Sequence, residues 1–398
     1  MQQLALRISL QEIATVMVSD FSDECLETLK LLARSKNVLV SGAPGTGKSR
    51  LLAEVALAFE TGLGVSSSHG TPALERSNPI PIPPSPGKVM EGVPAPYKTN
   101  RMVFRTVFHQ NSKYRDFVSG VLPCVNNVES GSGFYIVKGV LYRASEHANS
   151  SNSASLLIID EINRGPAVQV FGGSLVAIES DKRLAPDGSK LVGTQYFELL
   201  DPLSGEFIEY ALPSDLYILA AMNQADASVE PLDVAFLRRW EPLKLEPNER
   251  ALRDFYNIKR DDSYALPAEP SSISDVFEAS VLAWISINEQ VSLGRGSEFR
   301  IGHGILMTHE LPEDLDVFEA LEFICVGWTK IFAHVEEVFF GDIRGLASTL
   351  NAIDGPEYNP FELVETTFAS EIRFKLEGPS RFDASMIYDA LRAFSRDE

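Results

Sequence analysis

Apolar positions alternate between two periods up to about residue 247 and keep to one beyond it. Between residues 9 and 35, Ile13, Val16, Met17, Leu26, Leu29, Leu31 and Leu32 recur at roughly helical spacing, which predicts a helical segment. Asn37-Val-Leu-Val is a short apolar run of buried-strand type ending in Ser41-Gly42. Past a glycine-rich loop, Leu51, Leu52, Val55, Ala56 and Phe59 mark one helical face, which Gly62 and Gly64 end. Residues 61–100 break the pattern with Ser66-Ser67-Ser68 and closely spaced prolines from Pro72 to Pro96. They read as an extended surface insertion. A strand pattern returns at Arg101–His109, residues 126–155 read as loops around a hairpin, and Leu156–Ile159 is a second apolar strand. Residues 166–180 read as helical, 190–212 as hairpin strands, and Leu216–Ala221 as a third apolar strand. From about 248 onward the helical period dominates, over 272–292, 313–340, 342–353 and 381–396. This order predicts an α/β domain over 37–247, preceded by a helical linker (1–36) and followed by a helical unit over 248–398. No internal repeat is visible.

Charge and cysteine usage narrow the class. Lys plus Arg number 35 and Asp plus Glu 55, for a formal net charge of −20. A surface this acidic repels phosphate backbones at long range, so broad non-specific nucleic-acid binding is not expected. Cys25, Cys124 and Cys325 are far apart and lack metal-ligand spacing, consistent with reduced thiols. No signal peptide is visible, and no apolar stretch reaches the ~20 residues a spanning helix needs. The chain is expected to be cytoplasmic, with no membrane partner.

Three strand ends carry the chemistry. Gly42-Ala43-Pro44-Gly45-Thr46-Gly47-Lys48-Ser49 has phosphate-loop spacing, with an apolar strand before it and a helix after it. Glycines let backbone N–H groups turn inward on phosphate oxygens, and the helix N-terminus adds free donors. Lys48 would place its charge on the β and γ phosphates, and Ser49 would offer a hydroxyl to Mg²⁺. Leu156-Leu-Ile-Ile-Asp160-Glu161 delivers an acidic pair to the edge of the sheet. Asp160 would hold Mg²⁺ and Glu161 would act as general base on the attacking water. Asn223, ending a further apolar strand, would orient that water beside the γ-phosphate. Arg238 and Arg239 follow a short helix, and either one is placed to reach a neighbouring subunit's nucleotide in a ring-forming motor. Six histidines show no paired ligand spacing; His109 and His303 read as structural hydrogen-bonders, and Arg300 reads equally as a lid arginine or a surface one.

These motifs in this order resemble AAA+ ATPases, and more closely the McrB branch, the motor subunits of modification-dependent restriction systems. The resemblance rests on Phe108-His109-Gln110 with Tyr114, Asp116-Phe117 and Gly120; on Asp160-Glu-Ile-Asn-Arg164; on Ile178-Glu179-Ser-Asp181-Lys182-Arg183; on Leu212 to Asn223; on Phe299-Arg-Ile-Gly-His303; and on Val335 to Asp342. It spans roughly residues 30 to 345. It implies an AAA+ P-loop fold, α/β, with a central parallel sheet flanked by helices and a smaller all-helical lid. It implies ATP or GTP hydrolysis with Mg²⁺, a homo-oligomeric hexameric ring, and a nuclease or adaptor partner resembling McrC, through which DNA would be contacted. The chain departs from the branch where the signature Met-Asn-Thr-Ala-Asp-Arg-Ser reads Met222-Asn-Gln224-Ala-Asp226-Ala227-Ser228, which leaves the base preference open. Phe171-Gly172-Gly173 stands where the branch has Phe-Gly-Glu. Few residues precede the first motor strand, so target reading is expected on another subunit. The alternatives are a chaperone-like remodeller resembling MoxR proteins and a nucleotide-gated scaffold.

Overall fold

The computed structural model describes residues 21–62, 93–123, 134–225, 232–260, 264–307 and 309–396. The expected helix before residue 21, most of the proline-rich insertion and residues 226–228 of the altered signature lie outside these. The chain divides into two compact units. The first takes in the residues up to Ser41, Lys48–Met222 and Ala227–Lys244, and the second takes in Gly42–Gly47, Asn223–Asp226 and Leu245–Glu398.

The described strands are β1 (Asn37–Gly42), β2 (Asn100–Val107), β3 (Ser119–Pro123), β4 (Phe134–Lys138), β5 (Ser153–Asp160), β6 (Phe197–Leu200), β7 (Phe207–Tyr210), β8 (Leu216–Asn223), β9 (Glu241–Leu245), β10 (Glu362–Phe368) and β11 (Glu371–Glu377). Five of them form the central parallel sheet, in the order β2-β5-β8-β1-β9. β2 and β5 run parallel with Val107 opposite Asp160, and β5 and β8 run parallel with Leu156 opposite Tyr217. β5 is buried along its length up to Asp160, as a strand covered on both faces must be. The non-consecutive order puts the strand that ends in Asn223 between the one that ends in Asp160 and the one that enters the glycine loop. Ligands bind at such a crossover, beyond the carboxyl ends of the strands.

Local chemistry explains the elements around the sheet. Helix Asp23–Ser35 starts where Ser22 Oγ accepts from the Cys25 amide, and it ends on Lys36 in the left-handed region at φ 69°. Helix Val140–Ala148 was not visible in the pattern, which reads 126–155 as loops around a hairpin. It is nine residues long, entered from Gly139 and followed by Asn149-Ser-Ser-Asn152, yet it buries Val140, Leu141, Tyr142, Ala144 and Ala148. The helical reading of 166–180 is interrupted. Ala167–Phe171 and Ser174–Ala177 are separate turns, because Gly172 sits at φ +50° where a Cβ would lie 2.8 Å from the Tyr114 ring.

The second unit is built on helices Ile273–Gly294, Val317–Val338, Ile343–Thr349 and Ile387–Ser395. Two reciprocal capping boxes, Ser272 with Asp275 and Asp316 with Glu319, set the starts of its two longest helices. Its core gathers Phe277, Trp284, Ile324, Trp328, Ile331 and Phe394. This helical region also carries the antiparallel hairpin β10–β11. Charged residues alternate along β11, β10 carries two glutamates and two threonines among its seven residues, and most positions are exposed, so no apolar run announces the hairpin in the sequence. Among the described residues, no helix is long and apolar enough to cross a membrane.

Candidate functional site

The glycine loop is shaped by close approaches within the second unit. A Cβ on Gly42 would lie 2.6 Å from the Leu245 carbonyl oxygen, so the strand leaves the sheet through a position only glycine fits. Gly45 and Gly47 hold φ +79° and +89°, and the space around Gly47 is open, so the backbone turn is what requires glycine there. Buried Thr46 folds inward and donates through Oγ1 to the Ala43 carbonyl at 2.9 Å. The Gly302 amide donates to the Pro44 carbonyl at 2.8 Å and the Gly304 amide to the Gly45 carbonyl at 2.9 Å. A planar peptide carries its C=O and N–H on opposite sides, so holding the Pro44 carbonyl turns the Gly45 N–H the other way.

The Ile301–Gly304 turn is itself fixed. Asn288 Oδ1 accepts from the Ile301 amide at 2.6 Å, and Asn288 Nδ2 and Trp284 Nε1 both donate to the Ile301 carbonyl at 3.0 Å. His303 Nδ1 accepts from the Asn248 amide at 3.2 Å, a structural hydrogen bond as expected. Arg300 pairs with Glu246 and donates to the Ser297 carbonyl at 3.1 Å. Pro44 and Gly45 share the wall of a cavity of about 230 Å³ with Ile301, Ile305, Lys330 and His334.

The first unit holds the charged part of the predicted set. Lys48 and Ser49 open helix Lys48–Thr61, whose first turn carries no acidic residue. Burial lowers the pKa of the Lys48 ammonium, and the nearby Glu161 and Asp160 carboxylates oppose that shift. Asp160 ends β5 part-buried, and its Oδ1 accepts from the Glu161 amide at 2.9 Å. Glu161 adopts φ 52°, ψ 43°, a conformation uncommon for a residue with a side chain. Its carboxylate pairs with Arg164 at 3.1 Å. The neighbouring Phe108 amide donates to the Asp160 carbonyl at 3.0 Å, and a Cβ on Gly165 would lie 2.7 Å from the His109 carbonyl oxygen. Phe108-His109 and the turn after Asp160 are thus packed without slack. His109 Nδ1 accepts from the Asn111 amide at 3.2 Å, again a structural bond.

The two arginines separate clearly. Asp233 caps helix Val234–Leu237 by accepting from the Phe236 amide, and Arg238 follows as the exposed C-cap residue. The Arg239 side chain is 7% exposed, ion-paired with Glu179 at 3.0 Å and donating to the Ala235 carbonyl. Phe236 and Trp240 fasten this turn to Phe171, which also packs on Phe108 and Phe117. Asn223 lies at the last position of β8, and Gln224 beyond it is exposed.

Lys48, Asp160 and Glu161 are therefore drawn together in one unit. Gly42–Gly47 and Asn223 belong by compactness to the other, where the loop meets Gly302 and Gly304. Sequence reasoning did not assign Arg164, Glu179, Gly302 or Gly304 a part in the site. The three-residue step from Glu161 to Arg164 is the one signal that was available for the first of them.

Residues 94–240 match the AAA domain of the dynein-related subfamily. The EcoKMcrB subunit of the type IV methyl-directed restriction enzyme of Escherichia coli (strain K12) is 27% identical over 69% of this chain and 48% of its own length. The YdiS component of the type II restriction enzyme BsuMI of Bacillus subtilis (strain 168) is 29% identical over 54% of this chain and 60% of its own. The chain thus spans about half to three-fifths of the curated relatives it matches. Among solved structures, a putative ATPase from Cytophaga hutchinsonii aligns over 69% of this chain and 64% of its own at 15% identity, with a TM-score of 0.29.

Proposed function

We propose that this chain, which is a McrB-like AAA+ protein, binds a nucleoside triphosphate with Mg²⁺ on the loop Gly42–Ser49 and hydrolyses it to drive a restriction-type nuclease assembly. The observation that carries the reading is the grouping of Lys48, Asp160 and Glu161 at the start of the helix that follows a glycine loop with two left-handed turns. A cation and an acidic pair at a helix N-terminus suit phosphoryl transfer, where catalysis is mostly positioning and electrostatics.

Each residue then has a role. Amides of the loop and Lys48 bind the phosphates. Mg²⁺ usually keeps several waters and takes one or two carboxylates together with substrate phosphates. Ser49, exposed, and Asp160, part-buried at its strand end, suit that donor set. No group of three or more His, Cys, Asp or Glu that could hold a metal by protein ligands alone occurs among the described residues. When bound, the ion would neutralise charge on the β and γ phosphates. Glu161 takes the proton of the attacking water, and Asn223 orients that water. The exposed Arg238, not the internally paired Arg239, is the arginine that reaches a neighbouring subunit in a homo-oligomeric ring, with six subunits as the proposed number.

The loop reads phosphates only. The cavity beside Pro44 and Gly45 is where a base would meet protein in the second unit, and its polar groups are Lys330 and His334. The partner follows from the relatives, since both curated names denote components of restriction enzymes. The net charge of −20 fits a division of labour with DNA contacted through a partner subunit. The test is turnover of ATP and of GTP by the purified chain, alone and with its co-expressed neighbours, with and without DNA. Turnover that rises with the neighbours and DNA supports a nuclease motor, and absence of turnover with either nucleotide overturns the reading.

A further inference from the structure

The turn that presents Arg238 is held from behind by a buried polar relay. Arg183 is 1% exposed. Its guanidinium donates to the Ile178 carbonyl at 2.9 Å, to the Leu216 carbonyl and to Asn37 Oδ1 at 2.6 Å. Carbonyl and amide oxygens therefore surround a charge that would ordinarily be buried only beside a carboxylate. Asn37, 1% exposed at the start of β1, turns its Nδ2 outward from that contact and donates to the Ile178 carbonyl at 2.7 Å and to the Arg239 carbonyl at 3.2 Å. Glu179, one residue past Ile178, pairs with the Arg239 side chain at 3.0 Å. The residue after Arg238 is thus gripped by its backbone through Asn37 and by its side chain through Glu179, both ordered by Arg183.

An amide is the side chain that serves this junction. Asn37 must accept from Arg183 with its oxygen and donate to two carbonyls with its nitrogen. A carboxylate would satisfy Arg183 and lose both donations. Arg183 needs the reach and the fork of several donors to bind three acceptors on three segments.

We propose that Asn37 and Arg183 are positioning residues for Arg238, fixing the direction in which it leaves the subunit. This rests on the reading of Arg238 as the arginine supplied to a neighbour's nucleotide. Misplacing a catalytic group by about 1 Å costs as much as ~10²-fold in rate, and the relay is what prevents that displacement.

The test is a double-mutant cycle in the full-length chain, at a concentration where it assembles. Asn37→Asp keeps the size of the side chain and gives Arg183 a carboxylate, but it loses the donations to both the Ile178 and the Arg239 carbonyls. The expected result is a kcat for the triphosphate lowered about 10- to 100-fold, with KM and nucleotide affinity unchanged and a cooperative melting transition retained. In an Arg238→Ala background, Asn37→Asp is expected to lower kcat no further, because the group it positions is gone. Wild-type kcat in Asn37→Asp, with a reduced kcat in Arg238→Ala, overturns the positioning role and leaves the role of Arg238 standing. Losses that multiply in the double variant overturn it too, since they mean that Asn37 acts elsewhere. An Arg238→Ala variant with wild-type kcat overturns the parent reading and the proposal with it.

Discussion

Replacing Gly302 by alanine should damage the phosphate loop without touching any group that meets nucleotide. Gly302 has φ −67° and ψ 151°, which alanine adopts freely, so the backbone offers no objection. The objection is steric. The added Cβ would lie 2.0 Å from the Gly45 carbonyl carbon, 2.2 Å from its oxygen and 2.3 Å from the Thr46 nitrogen. These are backbone atoms and cannot swing aside as a side-chain tip does. A retreat of at least about 1 Å is needed, and it stretches the bonds from Gly302 to Pro44 and from Gly304 to Gly45, now 2.8 and 2.9 Å, past useful length. Two such bonds are worth about 1–3 kcal/mol together, and overpacking adds about 1–3 kcal/mol. The expected outcome is a clear fall in melting temperature and nucleotide affinity weakened at least about tenfold, the equivalent of 1.4 kcal/mol. Gly47→Ala is the control for folding stability: its Cβ meets no protein atom within 4 Å, so its cost to the fold is the backbone strain of φ +89°, about 1–2 kcal/mol. Thermal unfolding and titration with a fluorescent nucleotide check both variants. A Gly302→Ala protein with wild-type melting and affinity would show that the turn does not shape the loop.

The two arginines should respond oppositely. Arg238→Ala is expected to keep its melting temperature, as exposed positions do, while kcat falls by ~10³ or more. Arg239→Ala strips Glu179 of its partner and should cost on the order of 2 kcal/mol, between surface and buried ion pairs; equal stability in both variants would refute the distinction. Lys36 gives a pH test. Burial first, and the charge of Arg183 second, hold its ammonium down at about 8 against an ordinary 10.5, with Asp215 opposing. A base depressed in the folded state releases its proton there before the unfolded chain does, so folding stability rises with pH between about 8 and 10.5. The melting-temperature advantage of Lys36→Met over the wild type should therefore shrink from pH 7 to pH 10, and a difference flat in pH contradicts that account.

What the sequence discloses is what a short local period can carry. The apolar strands ending at Gly42, Asp160 and Asn223 are legible because each is a short buried run that stops at a glycine or a polar residue. Helix Val140–Ala148 and hairpin β10–β11 are not, since one is short and runs into small polar residues at its end and the other faces solvent along most of its length. The different settings of Arg238 and Arg239 come from Glu179, sixty residues from Arg239 in sequence and 3.0 Å from it in space. The grip of Gly302 and Gly304 on the loop is equally invisible, because a glycine required by a distant backbone looks like any other glycine.

Glu161→Gln tests the central claim most directly. The substitution keeps size and leaves Lys48 and Asp160 in place, but removes the carboxylate that would take a proton from water, a contribution of ~10²–10⁴ in rate. The account predicts that the variant binds ATP or GTP and assembles as the wild type does while steady-state hydrolysis is lost. Hydrolysis at the wild-type rate would contradict it.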